Sequence, residues 1–121
     1  MITVGIRGAI TVEKNTKECI FASTKELVSE IMKQNNLKEQ DIASIIFTAT
    51  PDLDAAFPAA AVREMGLNEA ALLDAVEMNV KSSMPRVIRV LMHVNVKEGF
   101  KPKHIYLKEA VKLRSDMFCK K

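Results

Sequence analysis

Residues 4–13 read VGIRGAITVE and residues 87–96 read VIRVLMHVNV, and both stretches alternate with the period of two that marks a β-strand. In the first, Val4, Ile6, Ile10 and Val12 share an aliphatic side, and Gly5, Arg7, Ala9, Thr11 and Glu13 lie on the other. In the second, Ile88, Val90, Met92, Val94 and Val96 face one way, and Arg89, Leu91, His93 and Asn95 face the other. Each strand carries an arginine near its middle instead of at its rim. A guanidinium there needs a charge partner or water, because burying it unpaired is costly. Arginine is also the scarcer cation of the chain, five against thirteen lysines, which makes two mid-strand placements stand out. A barrel or a sheet with one wet face accounts for the same alternation.

Around these strands the pattern changes character. The first strand spans residues 2–13. Asn15, with Glu18 three positions later, has the spacing of a capping box. Ile20, Thr24, Leu27, Val28 and Ile31 then recur at helical spacing, which predicts a long amphipathic helix ending near Asn35. A second strand is expected over Ile42–Thr50, stopped by Pro51 and Asp52. Pro58 suits a first helical turn and Gly66 a C-terminal cap, so 59–65 reads as a short helix. The period over 70–80 is ambiguous, and the strand-rich surroundings favour a strand or loop around Leu72–Met78. A turn at Gly99 and Pro102 leads into a last strand from His104, with Ile105, Leu107, Val111 and Leu113 as its aliphatic markers. The SDMFCKK tail, 115–121, is expected to fray. The order of elements predicts an α+β or mixed α/β domain with one long and one short helix, spanning 1–121 as a single unit.

Composition narrows the function. At 121 residues and 13.5 kDa the chain supports one core. The net charge of +3 comes from dispersed lysines and the aromatic content is 5%, so neither the basic stripe nor the aromatic–basic interleaving of a nucleic-acid binder is present. No segment has the length of an apolar membrane span, the first residues lack a signal-peptide layout, and Cys19 and Cys119 have no metal-ligand spacing. A cytoplasmic protein with reduced thiols is the expectation. There is no phosphate-cradling glycine loop, no metal constellation and no nucleophile beside a base; His93 and His104 read as structural or exposed. What remains is Arg7, Arg63, Arg89 and Arg114, with Tyr106 and the acids Asp74 and Glu77. Guanidinium forks match carboxylates and a carboxylate accepts from a hydroxyl, so this set suits a small dicarboxylate carrying a hydroxyl. Chemistry on such a ligand would rest on holding a conformation and on fixed positive charge, not on proton transfer.

The runs GIRGAITVE at 5–13, ATPDLDAAFPAAAVRE at 49–64, VEMNV at 76–80, IRVLMHV at 88–94 and HIYLKEAVKLR at 104–114 closely resemble the monofunctional, trimeric pseudo-α/β-barrel chorismate mutases. The resemblance covers nearly the whole chain, in order. It implies conversion of chorismate to prephenate, a [3,3]-sigmatropic rearrangement without metal or cofactor, in clefts between the subunits of a homotrimer. Position by position it implies that Arg7 binds a substrate carboxylate with help from Tyr106. Arg89 would face the ether oxygen of the breaking bond, and Glu77 would orient the ring hydroxyl. Leu73, Asp74, Ala75 and Val76 would line the site; Phe57, Ala59 and Arg63 would come from the adjacent subunit; Leu113 and Arg114 would close the mouth. Two positions depart from the family pattern. Asp74 stands where a cysteine is common near the substrate hydroxyl, and Ala60 where a lysine is familiar at the cleft mouth. A trimeric enamine/imine deaminase, or a non-catalytic trimer that senses a small carboxylate, would also place an arginine on a carboxylate. Those deaminases lack the GIRGA and ATPDL segments.

Overall fold

The structure is a computed structural model that describes residues 1–113; Arg114 and the 115–121 tail lie outside the described residues. The described chain forms β1 (Ile2–Thr11), α1 (Lys17–Gln34), β2 (Ile42–Ala49), α2 (Pro58–Glu64), β3 (Ala71–Val76), β4 (Val87–Val96) and β5 (Ile105–Leu107), with 3-10 turns at Glu39–Asp41 and Lys108–Ala110. The strands make one mixed sheet in the order β3-β2-β4-β1-β5. β4 runs antiparallel to β1 and β2, while β5 joins β1 and β3 joins β2 in parallel.

The two alternating segments are the adjacent central strands, so their aliphatic sides merge. Ile45, Met92 and Ile6 lie side by side across β2, β4 and β1, and all three are fully buried. The helices cover this face: Ile20, Leu27, Val28 and Ile31 of α1 and Val62 of α2 pack into the same core. Each such buried aliphatic side chain contributes about 1.5–3 kcal/mol against leaving it in water. Gly8 lies on this face where α1 comes closest. A Cβ there would sit 2.9 Å from both the Ile105 carbonyl oxygen and Ile31 Cδ1.

Four local expectations change. β1 ends at Thr11 instead of residue 13, although the Val12 amide still donates to the Arg86 carbonyl at 2.8 Å. The cap of α1 is Thr16, whose hydroxyl accepts the Cys19 amide at 3.1 Å. Asn15 instead ties the start of the helix to the distant loop: its Oδ1 accepts the Asp54 and Ala55 amides at 3.0 and 3.1 Å. Residues 71–76 settle as a strand because their ladder to β2 is complete from Ser44–Ala71 to Ala49–Val76. The last strand is only three residues long. Lys108 turns it off at φ 55°, and Val111 and Leu113 follow a 3-10 turn instead of continuing the alternation.

The segment after β2 is locked by side-chain acceptors. Both Asp52 carboxylate oxygens accept the Arg86 amide, the Thr50 hydroxyl accepts the Val87 amide, and Arg86 Nε returns a bond to the Val12 carbonyl. These bonds hold Arg86 at φ 50°, a region that disfavours a residue with a Cβ. They also fix where β4 begins, and so which residue stands at its centre.

Candidate active site

The second face of the sheet, which α1 and α2 leave clear, holds the arginines; among the described residues the Lys108–Ala110 turn packs on it, with Ala110 against Ala9 and Val87. Residues opposite each other in register project to the same side, so Ala75, Thr48, Arg89, Ala9 and Tyr106 form one row across all five strands. Arg7, opposite Leu91, is the diagonal neighbour of Arg89 on this face. The two mid-strand arginines of the sequence are thus adjacent in space.

Arg89 is not loose. Its Nε donates to Glu77 Oε1 at 2.7 Å, and the same oxygen accepts from the Thr48 hydroxyl at 3.3 Å. The Glu77 side chain is only 13% exposed and that of Arg89 40% exposed, so the pair is half desolvated with one end open to a ligand. Glu77 is aimed by its own backbone, whose amide extends the β2–β3 ladder to the Ala49 carbonyl at 2.9 Å. At the other side of the row, Tyr106 and Leu113 pack with Met84 around fully buried Ala9, Val87 and Ala110. Arg7 itself is exposed on β1, and its amide donates to His104 Nδ1 at 2.9 Å.

The remaining candidates gather elsewhere. Asp74 faces the helix side of β3, where Oδ1 accepts the Ala59 amide at 3.0 Å. Phe57 offers α2 no side-chain cap, so this carboxylate supplies the acceptor that the start of the helix needs. Burial pushes the Asp74 carboxyl above its ordinary range, opposed by the Ala59 hydrogen bond and by the nearby charge of Arg63. A groove of about 580 Å³ opens beside it, lined among others by Leu53, Phe57, Asp74 and Val76. Phe57 and Val76 are 68% and 74% exposed, and Leu73 on the face opposite the two helices is 59% exposed. One chain therefore presents two surfaces. Arg7, Glu77, Arg89, Tyr106 and Leu113 belong to the face opposite α1 and α2; Phe57, Ala59, Arg63, Asp74 and Val76 belong to the α2–β3 edge. Arg114 lies outside the described residues.

One participant escapes a reading of the sequence: Thr48 shares the Glu77 oxygen, and its one signal is its place in the alternation of β2, opposite Arg89. His104, read as structural or exposed, takes a structural place, its ring accepting the Arg7 amide. Among the described residues no group of His, Cys, Asp and Glu could hold a metal ion, and no helix is long and apolar enough to cross a membrane.

A sheet face with two neighbouring arginines, one of them held by a carboxylate, offers fixed positive charge to a small anion. The family profile for chorismate mutase type I matches residues 3–117. Over 115 residues, covering 93% of this chain and 94% of the relative, the sequence is 46% identical to chorismate mutase AroH of Thermus thermophilus. It is 40% identical over 119 residues to chorismate mutase AroH of Bacillus subtilis, covering 97% of this chain and 94% of that protein. Among solved structures, a chorismate mutase from Clostridium thermocellum superposes with a TM-score of 0.87 at 49% identity, over 90% of this chain and 98% of that one. The chain belongs to the type I chorismate mutases. It is accordingly an enzyme, an isomerase of the α+β fold expected from its order of elements.

Proposed function

We propose that the protein rearranges chorismate to prephenate, in aromatic amino-acid biosynthesis, in clefts shared between the subunits of a homotrimer. One copy supplies the face opposite α1 and α2 with Arg7, Glu77, Arg89 and Tyr106. The adjacent copy supplies the α2–β3 edge with Phe57, Ala59 and Arg63, while Leu73, Asp74, Ala75 and Val76 line the cleft and Leu113 and Arg114 close it. The observation that carries this reading is the Arg89–Glu77 contact at 2.7 Å in the middle of the sheet face that α1 and α2 leave clear. A half-desolvated arginine held by a carboxylate is ready to receive a second anion.

In the rearrangement the ether C–O bond breaks as a C–C bond forms in the same ring of electrons, and no proton or electron passes to the protein. The ether oxygen gains negative charge on the way. Arg89 is pre-oriented toward that charge, which lowers the barrier without reorganisation at the moment of reaction. Glu77 accepts from the ring hydroxyl as well as holding Arg89. Arg7 and Tyr106 fix a carboxylate, so the substrate is kept in the compact conformer that reacts. Asp74 spends one oxygen on the Ala59 amide and keeps the other for the cleft beside the hydroxyl that Glu77 orients.

Residues 1–121 act as one domain, in the cytoplasm. The decisive measurement is the fall of chorismate absorbance on addition of purified protein, with prephenate as the sole product. Absence of turnover in a folded preparation removes the reading.

A further inference from the structure

The hydrogen bond beneath Arg7 assigns work to a residue outside the substrate-facing set. β5 is an edge strand of three residues, paired to β1 only at Gly8–Ile105, Ala9–Tyr106 and Ile10–Leu107. So short an edge strand holds its place weakly by itself. Just before this ladder starts, the Arg7 amide donates 2.9 Å to His104 Nδ1, across a sequence separation of 97 residues. The imidazole takes the place of a carbonyl and adds one more rung. To accept, Nδ1 must be the unprotonated nitrogen, which puts the ring proton on Nε2. The rung joins the backbone that carries Arg7 to the strand that carries Tyr106, two residues beyond His104.

We propose that His104 is a positioning residue for the rearrangement, fixing the separation between the Arg7 guanidinium and the Tyr106 hydroxyl. The inference rests on the reading above, in which those two groups hold one substrate carboxylate. Asn35 at the end of α1 accepts the Lys103 amide at 2.8 Å and donates to the Lys103 carbonyl at 3.0 Å, so the chain entering β5 stays anchored when the ring is removed and water replaces it at the Arg7 amide. What water cannot supply is a fixed distance between β1 and β5. The carboxylate is held alike in the bound substrate and in the transition state. Loosening its grip therefore weakens binding in both, and the signature is a higher KM with kcat little changed.

The test uses His104→Leu, which keeps an apolar side chain and removes the acceptor, and His104→Asn, whose carbonyl oxygen sits close to the position of Nδ1. Arg7→Ala is measured in parallel. His104→Leu is expected to raise KM by about five- to tenfold, the scale of one lost hydrogen bond, with kcat within about twofold of the parent. His104→Asn should recover most of the lost affinity. An unchanged KM in His104→Leu, alongside an impaired Arg7→Ala, overturns the role of His104 and leaves the carboxylate reading intact. Equal losses in the Leu and Asn variants, with lowered melting temperatures, make the ring a packing group and overturn it as well. A normal KM in Arg7→Ala overturns the carboxylate reading and the positioning role with it.

Discussion

A guanidinium braced by a carboxylate loses little freedom when a second anion arrives, and Arg89 is so braced by Glu77. That contact uses Nε, one of five donors, and the brace sets the direction of the rest. Arg89→Ala is expected to lower kcat by at least ~10²–10³, the scale for removing one preorganised donor at a developing oxyanion. Arg89→Lys should recover only part, because a point charge cannot face the ether oxygen and a carboxylate together. A folded Arg89→Ala protein with near-normal kcat would dismiss electrostatic stabilisation at this position. Asp74 makes a different test. Its folded-state pKa is raised, chiefly by burial, so its contribution to stability is complete below the ordinary aspartate pKa and is lost as pH rises through the raised one. Asn mimics the neutral form and still accepts from the Ala59 amide. The stability of Asp74→Asn relative to the parent should therefore increase as pH rises through that window, read from denaturant melts between acid and neutral pH; a difference independent of pH contradicts the shift. The arginines were legible in the sequence because a charge inside an aliphatic alternation stands out. The contacts of Asp74 and His104 were not, because their partners are backbone amides, which carry no residue identity.

Elements follow from the same physics with a different blind spot. β1, β4 and α1 are long enough for their periods to declare them, and α2 is bracketed by Pro58 and Gly66. β5 fails because three residues cannot establish a period; Val111 and Leu113 keep the spacing of a strand while the backbone has already turned at Lys108. The start of α1 fails for another reason. Asn15 and Thr16 are both good caps, and the choice is made by the Asp54 and Ala55 amides, which take Asn15 away. Thr16→Ala should then cost about 1 kcal/mol. Gly8→Ala belongs to the contact between layers. The added methyl would meet both the Ile105 carbonyl and Ile31 at 2.9 Å, so α1 or β5 must move. A destabilisation of about 1–3 kcal/mol is expected from such overpacking, with a higher KM if β5 is what yields. A Gly8→Ala protein as stable as the parent in urea would mean that the layers adjust freely.

For the whole molecule, the central fact is a sheet with α1 and α2 on one side. Leu91 and Ile46 are half-buried and Leu73 is exposed on the other side, and an apolar sheet face of this kind seeks a cover. Equilibrium sedimentation should show a trimer; a stable 13.5 kDa species at micromolar concentration contradicts shared clefts. Sharing can also be tested directly. If Arg63 reaches the cleft from the adjacent copy, as proposed, Arg63→Ala should mainly raise KM, and Arg89→Ala should lower kcat. When the two variants are unfolded together and refolded at equal amounts, a cleft drawing Arg89 from one copy and Arg63 from the next is intact in about a quarter of cases. Recovery of activity at low substrate well above the mean of the separate variants is the expected result. No recovery in mixed trimers would place both arginines in the cleft of a single copy.

The pairing of β1 with the far end of the chain also sets a clock. Arg7 and His104 are 97 residues apart, an interval of roughly 5–20 s at ordinary rates of synthesis. Until Val87 is made β1 has neither β4 nor β5 beside it, yet α1 follows within a few residues and its apolar stripe fits the aliphatic side of β1. The nascent chain can thus shelter its first strand on its first helix while both ladder edges stay open. Arg7, among the first side chains to be made, has to wait for one of the last strands before it has a defined place.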